Sequence, residues 1–235
     1  MINVGVVGYG YWGPNLVRNF VASPDANVVT VCDRDAGRLQ KVQALYPAVE
    51  VTTSAEEMIA DPRIDAVIVA TPVDAHFPIA MAALKAGKHV FVEKPIASTA
   101  DQARQLVEEA AKRGLVLHVD HTFVYTGAVR KMHELIRTDA FGQVRYYDST
   151  RVNLGLFQHD VNVLWDLAVH DLSIMAYVLG QTPVAVSATG HTHMPGQPEY
   201  AAFLTVYFSG DTIAHINVNW LSPVKVRRTL VAGDK

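Results

Sequence analysis

Five runs in the first half of the chain, INVGVVG, NVVTVCD, DAVIVAT, HVFVEK and LVLHVDH, are apolar with almost no alternation. A strand with one wet face alternates; an unbroken apolar run is what a parallel strand covered on both faces requires. Helical periodicity separates these runs. Trp12, Leu16 and Phe20 recur at every fourth position, and Ala103, Leu106, Val107 and Ala110 form a second stripe. Ser54 followed by Glu57 is a capping-box pattern, and Ser98 before Asp101 is a weaker version of it. The order predicts an α/β domain over residues 1–122, with a doubly wound parallel sheet.

Beyond a helix expected over Val124–Asp139 the pattern changes. VRYYDSTRVN, PVAVSATGHTH, EYAAFLTVYF, TIAHINVNW and KVRRTLVAG read as mostly antiparallel strands, with Ser209-Gly210-Asp211 as a tight turn. Ala214, Ile216, Val218 and Trp220 alternate with Ile213, His215, Asn217 and Asn219, which predicts an open sheet with one covered face. A helix over Val161–Leu179, ended by Gly180 and followed by Pro183, interrupts the strands. Residues 123–235 therefore read as an α+β domain. The chain stops at VAGDK directly after a strand, so the expectation is that this sheet continues beyond it and that the domain is incomplete.

Composition narrows the function classes. The 235 residues are 50% hydrophobic and 18% charged with a net charge of -3, and no block of Lys or Arg marks a nucleic-acid or membrane surface. No run approaches a membrane span, and the start MINVGVVGYG lacks the layout of a signal peptide. The single Cys32 excludes an internal disulfide framework and fits a reducing compartment, with the cytoplasm as the expectation. His191 and His193 share a strand face, but no third ligand at suitable spacing accompanies them, so no metal is expected.

Gly8-Tyr9-Gly10-Tyr11-Trp12-Gly13 fits G-x-G-x-x-G between a strand and a helix, and Asp33 follows at the end of the next strand. In that setting Gly8 permits a tight turn, Gly10 lets the backbone approach a pyrophosphate and Gly13 lets helix and strand pack closely. Asp33 would accept from ribose hydroxyls and repel a 2′-phosphate, which favours NAD; Arg34 could grip that phosphate, so NADP stays open. Thr71, Pro72 and His76 follow DAVIVAT, and Glu93 and Lys94 follow HVFV, all at strand carboxyl ends on the cofactor side. Lys94 is a candidate proton donor or acceptor; the alternative is a surface lysine paired with Glu93. In WDLAVHD, Asp166 and His170 stand four residues apart, where the carboxylate could orient the imidazole; the alternative is a satisfied structural pair.

Taken in order, GYGYWG, ATPVDAH, VEKPIA and WDLAVHD resemble the Gfo/Idh/MocA family of NAD(P)-dependent oxidoreductases. The resemblance covers essentially the whole chain and implies an N-terminal Rossmann domain beside a substrate-binding and oligomerisation domain. It implies that Lys94 lies beside nicotinamide and substrate, with Pro95 fixing its turn, and that His170 and Asp166 join it in proton transfer or binding. His121 would add to the cofactor site, and His121, Phe123 and Tyr125 would line the cleft. The segment RVNLGLFQHDVNVLWDLAVHDLSIM is similar to members acting on nucleotide-linked or related sugars, which would put Arg151, Asn153, Gln158 and Asn162 near the substrate. The resemblance departs at the C-terminus, where family members continue further. A homodimer or homotetramer through the C-terminal sheet follows from the amphipathic strands and the family.

The implied activity is reversible hydride transfer between nicotinamide and a carbinol carbon of a sugar, nucleotide-sugar or cyclitol. Two rivals stand beside it: an NAD(P)-binding sensor or regulatory homologue without catalysis, and a reaction in which the cofactor cycles within one turnover.

Overall fold

A computed structural model describes every residue except 156, 158–160 and 193–194. The chain divides into two compact units, Met1–Asp120 and His121–Lys235. The first alternates strand and helix: β1 (Ile2–Val7), α1 (Gly13–Ala22), β2 (Ala26–Cys32), α2 (Ala36–Leu45), β3 (Glu50–Thr52), α3 (Ala55–Ala60), β4 (Ala66–Val69), α4 (Val73–Lys85), β5 (His89–Val92), α5 (Ala100–Arg113) and β6 (Leu117–Val119). These strands form one sheet in the order β3-β2-β1-β4-β5-β6, every neighbouring pair parallel. Strand order reverses between β1 and β4, the position at which open sheets of this kind bind ligands.

The alternation absent from the amino-acid pattern is present in the packing. Val4, Val6, Ala66 and Ile68 join Leu16, Val17, Leu39 and Val42 in one core, while Val7, Val67, Val69, Val90 and Val92 join Ala80, Ala83, Leu84 and Leu106 in another. β1, β2, β4 and β5 each feed both cores, so these strands are apolar at nearly every position. Ser54 Oγ accepts from Glu57 N at 3.1 Å and starts α3 as the capping pattern predicts. For α5 the cap lies one residue later than expected. Thr99 Oγ1, not Ser98, accepts from Gln102 N at 3.2 Å, and Gln102 Oε1 accepts from Ser98 N in return, which completes a box that Ser98 and Asp101 do not make.

The second unit contains α6 (Gly127–Leu135), β7 (Val144–Val152), α7 (Val169–Leu179), β8 (Pro183–His191), β9 (Ala201–Phe208), β10 (Ile213–Asn219) and β11 (Val226–Gly233). Its sheet runs β11-β7-β10-β9-β8, with β7 and β10 parallel and the other pairs antiparallel. Ala214, Ile216, Val218 and Trp220 are buried in a core with Val129, Ile174, Met175 and Val178 of the helices. On the other face Tyr146, Phe203, Tyr207 and Ile213 are exposed.

Two helices depart from expectation. The predicted Val124–Asp139 helix is a single 3-10 turn, Thr122–Tyr125, followed by α6; Thr126 between them is extended, and its hydroxyl donates to Phe123 O at 2.7 Å. The predicted Val161–Leu179 helix begins later. Asn162 Oδ1 accepts from Leu164 N at 3.1 Å and Trp165 N at 3.2 Å, and the first turn, Leu164–Ala168, is a π turn before α7. Gly180 ends α7 with φ 63°, a left-handed residue that glycine adopts without steric cost.

Candidate active site

The glycine motif forms the turn from β1 into α1. A methyl group on Gly8, whose φ is 100°, would stand 2.5 Å from Ala70 O, and one on Gly13 would overlap Gly8 O. Both glycines are demanded by the fold itself. Gly10 is different: the nearest atom to a methyl group there is the flexible tip of Arg38, at 3.6 Å. The turn thus keeps open space at the start of α1, where unpaired amides and the helix dipole favour an anion, and these residues fit the pyrophosphate of NAD. Tyr11 is fully outside the core and Trp12, the residue before α1, is half exposed.

Asp33, just past β2, is 8% exposed and faces that turn. Its Oδ2 accepts from Tyr9 N at 2.7 Å and its Oδ1 from Asp35 N at 2.9 Å, with Arg38 Nη1 3.4 Å from Oδ2. Burial pushes the carboxyl up, but the amides of Asp35 and Tyr9 and the Arg38 guanidinium outweigh it and hold Asp33 below the usual carboxylate range. A carboxylate has about four acceptor positions, so one on Oδ1 is left for a ribose hydroxyl. Arg34, the expected phosphate ligand, is exposed. Arg38, which sequence reasoning missed, is the cation that reaches both Asp33 and the open space at Gly10. Its signal was its position, one turn into the helix that Asp35 caps.

The carboxyl ends of β4, β5 and β6 lie side by side. Pro72 is the residue before α4, and His76 in its first turn is buried. One ring nitrogen of His76 lies 2.8 Å from Pro95 O and the other 2.9 Å from Thr71 O. His76 therefore braces the β4 turn against the turn that carries Lys94, instead of facing the cofactor as expected. Burial pushes its imidazole below the ordinary range against the pull of the two carbonyls. Glu93 and Lys94 leave β5, with Lys94 N donating to Glu93 Oε2 at 3.3 Å. Thr71 Oγ1 is buried without a hydrogen-bond partner among the described residues, a polar atom available to a nicotinamide or ribose group.

In the second unit His121 precedes the 3-10 turn, and its carbonyl accepts from Val124 N at 3.1 Å. His170 packs edge-on against Phe123, ring centroids 4.8 Å apart. Asp166, within the π turn, accepts from Trp220 Nε1 at 3.0 Å. Tyr125 is exposed, with the Arg130 guanidinium 5.7 Å above its ring, and Asn153 N donates to Asn219 O at 3.2 Å.

Two of the residues expected beside substrate are held within the fold instead. Arg151 Nε donates to Asp171 Oδ2 at 2.6 Å, both side chains buried, and its guanidinium stacks 4.5 Å over the Phe123 ring. A guanidinium so buried must keep its carboxylate, so Arg151 is a structural cation that ties β7 to α7. Asn162 caps the π turn with its oxygen and donates from Nδ2 to Glu199 at 3.0 Å, so both ends of its amide are engaged. Gln158, also expected at the substrate, and His193 lie outside the described residues. Asp171 was missed by sequence reasoning; its one signal was an acid next to His170 on a helix with an apolar face. Among the described residues no three His, Cys, Asp or Glu side chains gather as a metal site, and no helix is long and apolar enough to cross a membrane.

Comparison with known proteins agrees with this geometry. The family model described as "Oxidoreductase family, NAD-binding Rossmann fold" matches residues 2–121, and the "GFO/IDH/MocA C-terminal domain" matches residues 129–235. Over 247 aligned positions the chain is 36% identical to the "Uncharacterized oxidoreductase YdgJ" of Escherichia coli, covering all of this chain and 69% of that one. It is 29% identical to the UDP-N-acetylglucosamine 3-dehydrogenase of Acidithiobacillus ferrooxidans, covering 92% of this chain and 66% of that one. The chain thus spans about two thirds of the length of these relatives, 69% and 66%. Among solved structures, GenD2 from gentamicin A biosynthesis, in complex with NAD, superimposes with a TM-score of 0.92 at 29% identity, over 99% of this chain and 70% of that one. With both family models matched across two units that carry the glycine turn and the strand-end lysine, the chain belongs to the GFO/IDH/MocA family of oxidoreductases, and its first unit is an NAD-binding Rossmann fold.

Proposed function

We propose that this protein catalyses the NAD-dependent interconversion of a carbinol and a carbonyl on a sugar, nucleotide-sugar or cyclitol. When bound, NAD supplies the hydride chemistry. Gly8, Gly10 and Gly13 would hold its pyrophosphate and Asp33 its adenosine ribose, while Thr71 and Glu93 would line its nicotinamide end. Lys94 takes the hydroxyl proton as the carbonyl forms and returns it in the reverse direction. His170 binds the same hydroxyl and assists that transfer, with Asp166 in support. Tyr125 and Asn153 are the further candidates for substrate contact.

The observation that carries this reading is the placement of Lys94 at the carboxyl end of β5, in a turn that His76 braces through Pro95. The substrate class is supported by relatives that include a UDP-N-acetylglucosamine 3-dehydrogenase and inositol 2-dehydrogenases. The ionised, amide-anchored Asp33 favours NAD over NADP, since a 2′-phosphate would meet its charge, although Arg38 offers that phosphate a partner. The reading extends to a homodimer or homotetramer through the face bearing Tyr146, Phe203, Tyr207 and Ile213. The buried thiol of Cys32, free of any disulfide, suits the cytoplasm.

The test is absorbance in the reduced-nicotinamide band over a panel of sugars, nucleotide sugars and inositols, with NAD and NADP in parallel. Reduction with at least one member, faster with NAD, is expected. Cofactor binding with no reduction by any member would instead favour a sensor or regulatory role.

A further inference from the structure

The corner that carries Lys94 contains two carboxyl groups where one would be expected. Glu93 and Asp120 are the residues that follow β5 and β6. Val92 pairs with Val119 in the parallel ladder, so the two acids leave adjacent strands at the same level. Asp120 N donates to Val92 O at 2.9 Å, which fixes their backbones side by side. Asp120 is 7% exposed. The Glu93 carboxyl is also inside: Oε2 accepts from Lys94 N, whereas Oε1 is buried and no donor among the described residues reaches it.

An ionised pair in that position would leave a buried oxygen unsatisfied and set two negative charges against each other out of water, both costly. One proton between the carboxyls lowers these costs, because it supplies a donor and leaves the pair with a single charge. The side chains are in hydrogen-bonding contact, and burial, with Asp120 adding to it, pushes Glu93 up to about 8. The charged groups acting on Glu93 are Asp120 from β6 and Lys94 from its own turn. Among the described residues His76 of α4 also stands at this corner, engaged by the carbonyls of Thr71 and Pro95, and His121 follows Asp120 in the chain.

We propose that Glu93 and Asp120 share one proton between the ends of β5 and β6, and that this pair is the positioning device for Lys94, presenting one negative charge while the proton is held and two once it is lost. Losing that proton adds one negative charge beside the turn that carries Lys94, and so changes the field in which Lys94 works. The role of Lys94 rests on the function proposed above; the shared proton does not.

The sign of the stability effect follows from Glu93 lying at about 8 in the folded chain against an ordinary 4.5. Between these values the folded chain holds a proton that the unfolded chain has lost, so this contribution is complete below 4.5 and disappears as pH rises to about 8.

The experiment is a carbon-detected NMR titration of the full chain with labelled glutamate carboxyls, the Glu93 signal assigned by its loss in Glu93→Gln. Wild-type Glu93 is expected to titrate near pH 8 and to titrate lower in Asp120→Asn, which removes the neighbouring charge and donates from its amide in place of the shared proton, while burial still holds it above the ordinary range. An ordinary titration in the wild type, or one unmoved by Asp120→Asn, overturns the proposal. Should Asp120→Asn fail to fold, the pH dependence of wild-type thermal stability decides: no loss between pH 5 and 8 beyond that of Glu93→Gln contradicts the shared proton. Turnover is read separately. If the chain is a dehydrogenase, the pH profile of its turnover shifts in Asp120→Asn. A profile that does not move overturns the positioning role even if the shared proton is found, and absence of any hydride transfer strikes the proposed function alone.

Discussion

Val67 and Val69 of β4 and Val218 of β10 are all buried, yet they belong to sheets built under opposite constraints. The first sheet feeds two cores, so its central strands are apolar at nearly every position and polar groups are pushed to the strand ends. The second sheet feeds one core, and every other residue, such as Tyr146, Phe203 or Tyr207, points away from it. The difference decides where chemistry can be placed. In the first unit Asp33, Thr71, Glu93, Lys94 and Asp120 occupy positions immediately beyond strands. In the second, polar side chains enter the covered face itself, as Arg151 does from β7, and must be neutralised there by a helix residue, Asp171.

The sharpest break in the comparison is therefore Asp171→Ala, which strands a buried guanidinium. A loss of about 3–5 kcal/mol is expected, seen as early unfolding of the second unit in thermal melts. NADH binding by the first unit should persist through that transition; its simultaneous loss would show that the units do not behave separately. A far smaller effect is expected in the first unit from Ser54→Ala, which removes one cap from α3. That should cost about 1 kcal/mol, or about 2–4 °C in Tm for a chain of this size, with cofactor affinity unchanged.

The same contrast explains what was legible in the amino-acid sequence. Apolar runs announced β1, β2, β4, β5 and β6, but β3, only Glu50–Thr52, is too short and too polar to stand out. The alternation in β10 placed Ala214, Ile216 and Val218 correctly in the core. Helix starts were misplaced where a side chain chose among neighbouring amides: Thr99 over Ser98, and Asn162 capping a π turn. At the candidate site the glycine turn, Asp33 and Lys94 were visible because their signals are local in the chain. Asp120 beside Glu93, and Asp171 beneath Arg151, were not, because each pairing joins segments that only the folded sheet brings together. His76 was noticed for its place in the motif but assigned to the cofactor, since nothing local reveals that the turn after β5 supplies its second carbonyl.

The central claim is that the residue beyond β5 handles the substrate proton while the glycine turn holds the cofactor independently of it. Lys94→Ala tests both halves, with NADH affinity followed by fluorescence and hydride transfer followed by absorbance on the best substrate of the panel. The account predicts affinity near that of the wild type and turnover lower by about 10²-fold or more, the scale of a lost general acid–base group. Unchanged turnover would contradict it.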